Sequence, residues 1–307
     1  MKKITIVGAG FVGATAVQRI AEKELGALVL IDIIEGMPQG KALDLMQSGP
    51  ILGFDANILG TNDYSDIEGS DLVIITAGIA RKPGMSRDDL VKINSNIVSD
   101  VSENIKKYAP DAIVLVVTNP LDIITYVVLK KTGFPSNRVF GMSGVLDSGR
   151  FATFVAMELG CSARNVDAMV LGGHGDSMVP LPKNTTVTGV PITELMDKAT
   201  IDRLVQRTVN GGAEIVELLK TGSAFYAPSA AISSMAESII RDQKRILPVC
   251  AYLEGQYGHK DIYLGVPAKL GKGGVEEIIQ LTLSDDEQAM LDRSAEAVKE
   301  GISKLEL

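Results

Sequence analysis

The chain is short of what several classes of protein need. Its 307 residues include two cysteines and two histidines. Cys161 and Cys250 form neither a disulfide framework nor a metal-ligand pattern, so a reducing cytoplasm and no metal site are expected. No uninterrupted apolar run approaches the roughly 20 residues of a membrane span, so no membrane partner is expected. Met1-Lys2-Lys3 leads straight into the strand-like run Ile4-Thr5-Ile6-Val7, so neither a signal peptide nor a transit segment is expected. Positive charge is in deficit too. A formal net charge of −8 and a sequence pI near 5.0 argue against nucleic acid as a partner. Internal repeats, low-complexity segments and flexible linkers are missing. What remains is ordinary globular material, 46% hydrophobic and 22% charged, long enough for two lobes around a shared core. An acidic protein that takes an anionic small molecule must build a local basic site. RKPGMSR, residues 81–87, places Arg81, Lys82 and Arg87 around a Pro-Gly turn. Such a loop is either simply solvated or closes over an anion.

The first half alternates strands and helices. Ile4–Val7, Leu28–Ile31, Leu72–Ile75 and Ile113–Val117 are continuous apolar runs, as in a parallel sheet covered on both faces. Helical spacing runs from Phe11 to Lys23 and from Ser86 to Tyr108. This predicts an α/β protein, a Rossmann-type doubly wound parallel sheet over residues 1–143. An α+β catalytic domain is expected over residues 144–307. There a helix from Val145 to Leu159 and a strand from Val166 to Leu171 are expected. A strand at Thr185–Thr188 and one long helical region from Ile192 to Arg245 follow. Val249–Leu253 and Ile262–Pro267 read as strands of a separate sheet. Ser284 with Glu287 is a capping box opening a last helix striped with Leu291, Ala295, Val298, Ile302 and Leu305, expected to pack back on the first domain.

Gly8-Ala9-Gly10-Phe11-Val12-Gly13 follows a strand and opens a helix. Its glycines allow a tight turn, close approach of a pyrophosphate and close helix–strand packing. Asp32 ends the second strand, where a carboxylate accepts ribose hydroxyls and repels a 2′-phosphate, favouring NAD over NADP. The bland alternative is a glycine turn with a helix-capping aspartate. Asn119-Pro120 ends another strand at the edge where ligands lie in open parallel sheets, or is simply a turn.

His259 lies in a polar turn and is expected at the surface. His174 lies in Gly172-Gly173-His174-Gly175-Asp176, where a side chain can approach a ligand closely. A reaction that removes hydride from an alcohol carbon needs a group that accepts the hydroxyl proton, and histidine suits that task. Asp147 and Arg150 sit three apart on one helix face. Either they form a surface ion pair, or they split: Asp147 holds His174 while Arg150 takes a substrate carboxylate.

These motifs together resemble the lactate/malate dehydrogenase family over essentially the full length. GAGFVG with Asp32, TAGIARKPGMSR, Thr118-Asn119-Pro120, GVLDSGR and GGHGD occur in that family's order. GSAFYAP, Gly222 to Pro228, and GQYG, Gly255 to Gly258, make the chain most similar to the lactate-dehydrogenase-like, malate-acting members from bacteria. The resemblance implies His174 as proton carrier, Asp147 as its partner and Arg150 as a clamp on the C1 carboxylate. It implies Arg87 polarising the carbonyl and Asn119 contacting substrate and nicotinamide. Gly8, Ala9, Gly10, Phe11, Val12, Gly13, Asp32, Asn94 and Val117 would line the NAD site. It also implies a cis peptide before Pro120 and a homodimer or homotetramer. Near the substrate's small end the lactate enzymes commonly carry threonine, where this chain has Ala224. Arg81 stands where lactate-specific members typically carry glutamine. An arginine there pairs with the second carboxylate of a dicarboxylate such as malate or oxaloacetate. Closed over a methyl group it would be a buried, unpaired cation, costing about 3–5 kcal/mol. The open rivals are a dehydrogenase acting on lactate or another, branched 2-hydroxy acid on the same scaffold, an NAD-dependent glycosidase, which would need a metal, and a non-catalytic NAD sensor.

Overall fold

A computed structural model of the chain describes residues 1–80 and 86–305, with the main chain but not the side chain of Arg87. The first half builds β1 (Lys3–Val7), α1 (Phe11–Ala21), β2 (Ala27–Ile31), α2 (Met37–Leu52), β3 (Ile58–Thr61), β4 (Leu72–Ile75), α3 (Arg87–Tyr108), β5 (Ile113–Val116), α4 (Leu121–Thr132) and β6 (Val139–Gly141). The six strands run parallel in the order β3-β2-β1-β4-β5-β6. That is the doubly wound arrangement expected from the apolar runs, with the switch of direction between β1 and β4. Both faces of these strands are buried except at the edge strand β3, where Leu59 is exposed. Leu72 and Ile74 pack with α1 on one face, and Val73 and Ile75 pack with α3 and α4 on the other. Each such side chain contributes about 1.5–3 kcal/mol of burial, which is why the runs are unbroken rather than alternating. Ser86 caps α3 in a reciprocal box with Asp89, so the helix starts immediately after the basic loop.

The second half contains α5 (Gly144–Leu159), β7 (Val166–Asp167), β8 (Val170–Gly172), β9 (Met178–Pro180), β10 (Thr186–Val187), β11 (Val190–Pro191), α6 (Ile192–Leu195), α7 (Lys198–Leu219), α8 (Tyr226–Ile240), β12 (Arg245–Glu254), β13 (Lys260–Gly271), β14 (Gly274–Ile278) and α9 (Asp285–Ser303). Three expectations are corrected here. The helical region from Ile192 to Arg245 is three helices, because Asp197 caps α7 by accepting from the Thr200 N–H and Gly222 turns the chain before α8. Arg245 itself begins a strand. Val166–Leu171 is two strands that pair with different partners, β7 with β10 and β8 with β9 and β13.

The third correction bears on the site. The strands around Val249 and Ile262 do not form a separate sheet. They continue the first one, in the order β6-β12-β13-β8-β9. Each joint is one residue pair, Cys250 opposite Gly141 and Gly265 opposite Gly172. A Cβ on Gly141 would lie 3.1 Å from Cys250 Cβ, and one on Gly265 would lie 2.3 Å from the Gly172 carbonyl oxygen. Missing side chains let the strands meet, and the joints bring the glycine stretch before His174 against the end of the parallel sheet. The last helix, capped by Ser284 with Glu287, crosses back over this region; a Cβ on its Gly301 would lie 2.3 Å from Ile123 Cδ1 of α4. Among the described residues no helix is long and apolar enough to cross a membrane.

Candidate active site

Two groups of residues meet at the carboxyl ends of the parallel strands. The first is the turn after β1. A Cβ on Gly13 would lie 1.9 Å from the Gly8 carbonyl oxygen, so only glycine lets α1 pack this close. Gly10, in contrast, has nothing among the described residues within 4 Å of where its Cβ would be. Asp32 follows β2 directly. Its Oδ2 accepts the Ala9 N–H at 2.7 Å and its Oδ1 accepts the Ile34 N–H at 3.0 Å, which fixes the carboxylate beside the turn. Phe11 is exposed at the start of α1 and its ring stacks on Phe225, 5.3 Å away, while Val12 packs into the core. An uncrowded helix N-terminus beside an anchored carboxylate fits a dinucleotide with its pyrophosphate over Gly10 and a ribose at Asp32.

Asn94 of α3 is fully buried. Its amide accepts the Ile79 N–H at 2.9 Å and donates to the Ile79 and Asn119 carbonyls at 3.1 and 2.7 Å. It ties the loop after β4 to the loop after β5 and shapes the wall there. Val117 is buried just past β5, and Asn119 is exposed at the strand end, where the peptide to Pro120 is cis.

The second group surrounds His174, which follows β8. Its Nδ1 lies 2.8 Å from Asp147 Oδ2. The other oxygen of Asp147 accepts Arg150 Nη1 at 3.1 Å. The ion pair and the histidine contact therefore coexist on one carboxylate, where the sequence left them as alternatives. Asp147 is 1% exposed, so this is no solvated pair. Among the described residues Arg150 Nε is buried without a hydrogen-bond partner, and the guanidinium rests against Gly211 and Gly212 of α7. A buried, unsatisfied cationic donor is costly, and an arriving carboxylate relieves it. Burial pushes the His174 imidazolium towards losing its proton. The adjacent Asp147 carboxylate pulls the other way and prevails, so the pKa lies above its ordinary value.

Arg81 lies outside the described residues, and so does the side chain of Arg87. Among the described residues no group of three or more histidine, cysteine, aspartate or glutamate side chains converges as metal ligands would.

Residues 2–141 match the NAD binding domain of the lactate/malate dehydrogenases, and residues 144–306 match their alpha/beta C-terminal domain. The chain belongs to the lactate/malate dehydrogenase family. It is 67% identical to a malate dehydrogenase of Methanosarcina mazei over all of both chains. The solved malate dehydrogenase of Salinibacter ruber, 51% identical, covers 98% of this chain and 97% of its own with a TM-score of 0.95. A lactate dehydrogenase of Cryptosporidium parvum, solved with lactic acid and NAD, is 43% identical and also reaches 0.95, covering 98% of this chain and 97% of its own. The family's fold is thus common to both substrate types, and its NAD-binding domain here is the one whose turn and carboxylate fit the dinucleotide.

Two features of this family member escaped the sequence reading. His259 is not at the surface. It is 8% exposed, and its Nε2 lies 2.9 Å from Asp292 of α9. A polar turn looks solvated in sequence, but α9 lies over it. Asp122 was not singled out at all. It is buried at the start of α4, and its Oδ2 accepts the main-chain N–H of His174 at 3.0 Å. The available signal was a lone acid between Leu121 and Ile123-Ile124 in an apolar helix. Ser294 of α9 similarly accepts the Gly173 N–H at 2.7 Å.

Proposed function

We propose that the chain is an NAD-dependent malate dehydrogenase that interconverts (S)-malate and oxaloacetate. One observation carries the site assignment: a single buried carboxylate, Asp147, holds both an imidazole and a guanidinium. A proton carrier and an anion clamp are thereby fixed side by side. NAD held by the turn after β1 and Asp32 would supply the hydride acceptor for C2 of malate. Nε2 of neutral His174 accepts the hydroxyl proton as that hydride leaves, and Asp147 stabilises the imidazolium. Arg150 pairs with the C1 carboxylate through the donors that Asp147 does not use. Arg87 polarises the substrate oxygen, and Arg81 takes the second carboxylate. Asn119 contacts substrate and the nicotinamide end. Gly8 to Gly13 and Asp32 hold the pyrophosphate and adenosine ribose, with Asn94 and Val117 forming the wall between. In this reading the chain divides near Gly144, and His174 reaches the cofactor from the second domain.

Full-length identity to proteins named malate dehydrogenase supports the choice of substrate over lactate, and so does the charge of Arg81. The test is the ratio of kcat/KM for oxaloacetate and pyruvate at equal NADH. We expect oxaloacetate to win by about two to four decades, and Arg81→Gln to remove most of that margin. A wild-type preference for pyruvate would reject the malate reading. The two free cysteines, Cys161 and the buried Cys250, fit a reducing cytoplasm. Exposed apolar residues on α2, Leu43, Ile51 and Leu52, support a homodimer or homotetramer.

A further inference from the structure

Asp122 is a buried carboxyl that the chemistry above leaves without a task. It stands in the first turn of α4, two residues past Pro120, and is 6% exposed. Its Oδ2 accepts the His174 N–H at 3.0 Å and its Oδ1 accepts the Cys250 thiol at 3.3 Å. Both oxygens receive donors, which is the pattern of an ionised carboxyl. The helix N-terminus also favours negative charge there. Burial outweighs the His174 N–H, the thiol and the His174 ring, which lower its pKa, so the value lies above the ordinary carboxylate range, and the two accepted hydrogen bonds are what hold the ionised form.

The segment it holds needs holding. His174 follows two glycines and precedes a third, so the local backbone does little to fix its ring. Contacts from three helices do so instead: Ser294 on Gly173 N–H, Asp122 on His174 N–H, and Asp147 on the ring. Among the described residues, the charged and titratable groups facing His174 are Asp147 and Arg150 from α5 and Asp122 from α4. Cys250 of β12 stands behind Asp122, α9 contributes only the neutral Ser294, and Asp176 is exposed two residues on.

We propose that Asp122 is a positioning residue for proton transfer. As an ionised carboxylate it fixes the main chain of His174 and supplies a second negative charge that favours the imidazolium. The inference rests on the reading of His174 as proton carrier.

Asp122→Asn separates charge from geometry, because the amide oxygen still accepts the His174 N–H. Oxaloacetate reduction needs protonated His174, so its rate falls as pH rises through the pKa of that residue. At saturating NADH, with a deuterium isotope effect showing that hydride transfer limits the rate, Asp122→Asn should move the falling limb to lower pH by roughly half to one unit. NADH affinity should stay within about twofold, since nothing in the cofactor turn touches Asp122. Asp122→Ala loses the acceptor as well and should lower kcat by a further 10- to 100-fold or so. Ser294→Ala is the structural control: it loosens the same segment without changing charge, so it should lower the rate and leave the limb in place. Where Asp122→Asn does not give soluble protein, Asp122→Ser removes the same charge with a smaller side chain and should shift the limb in the same direction. An unshifted limb in the variant measured overturns the inference. His174→Asn distinguishes the two readings. Wild-type reduction in that variant rejects His174 as proton carrier and the role of Asp122 with it. An inactive His174→Asn beside an unshifted Asp122→Asn rejects the role of Asp122 alone.

Discussion

At Gly10 a Cβ would meet nothing among the described residues within 4 Å, whereas at Gly265 it would lie 2.3 Å from the Gly172 carbonyl oxygen. The first position is open on the side where, in the function proposed above, the dinucleotide approaches; the second is closed by the protein itself. Gly10→Ala should therefore leave stability within about 0.5 kcal/mol, being a helix N-cap with an ordinary φ. It should weaken NADH binding by about tenfold or more, or ~1.4 kcal/mol. Gly265→Ala forces two strands apart and should cost about 3 kcal/mol in folding. Urea unfolding and NADH fluorescence titration read the two effects separately. Wild-type NADH affinity in Gly10→Ala would remove the argument for close approach at that residue. Only one of these glycines is readable in sequence. Gly10 sits in a fingerprint whose spacing follows from the turn. The need for Gly265 arises from a strand 93 residues earlier, and no local pattern announces it.

The same contrast holds for whole elements. Four of the six parallel strands, β1, β2, β4 and β5, were legible because burial on both faces demands unbroken apolar runs; the short β3 and β6 were not. The last helix was legible because its cap and its stripe are both local. The junction of β6 with β12 was not, since it depends on a single glycine facing Cys250 across the fold. Neither was the breaking of one expected helical region into α6, α7 and α8, where a cap at Asp197 and a turn at Gly222 override continuous helical spacing. Helix α2 carries a further message. It buries Ala42 and Gly49 but leaves Leu43, Ile51 and Leu52 at 54%, 83% and 61% exposure. Leu43 and Ile51 lie on the same exposed side, and a second copy of the chain is the occupant that fits a symmetric self-association. Light scattering after size exclusion should give a multiple of 32.6 kDa. Leu43→Glu with Ile51→Glu should return the smaller species. A wild-type mass of one chain at micromolar concentration would dismiss this surface as an interface.

At the scale of the molecule, His174 is one of the points at which the two halves are bonded together. Its ring is tied to α5 and its main chain to α4. Its protonation is therefore linked to stability as well as to turnover. The folded-state pKa of His174 is raised, despite the burial that lowers it, because of Asp147. In the unfolded chain the value returns to about 6.5. The folded state thus binds this proton more tightly. The stabilisation is fully present below about pH 6.5 and is lost as pH rises through the folded value, each unit of separation being worth about 1.4 kcal/mol. His174→Asn cannot hold the proton and lacks this contribution. Urea unfolding of the wild type and of His174→Asn across about pH 5.5 to 8.5 should show the wild-type advantage greatest at the acid end and shrinking towards the alkaline end. Asp122 and Asp147 remain in both proteins, so differences common to the pair cancel. A gap that stays constant over that range would mean that the imidazole is held equally well with or without its proton. The two carboxylates around it would then contribute geometry alone.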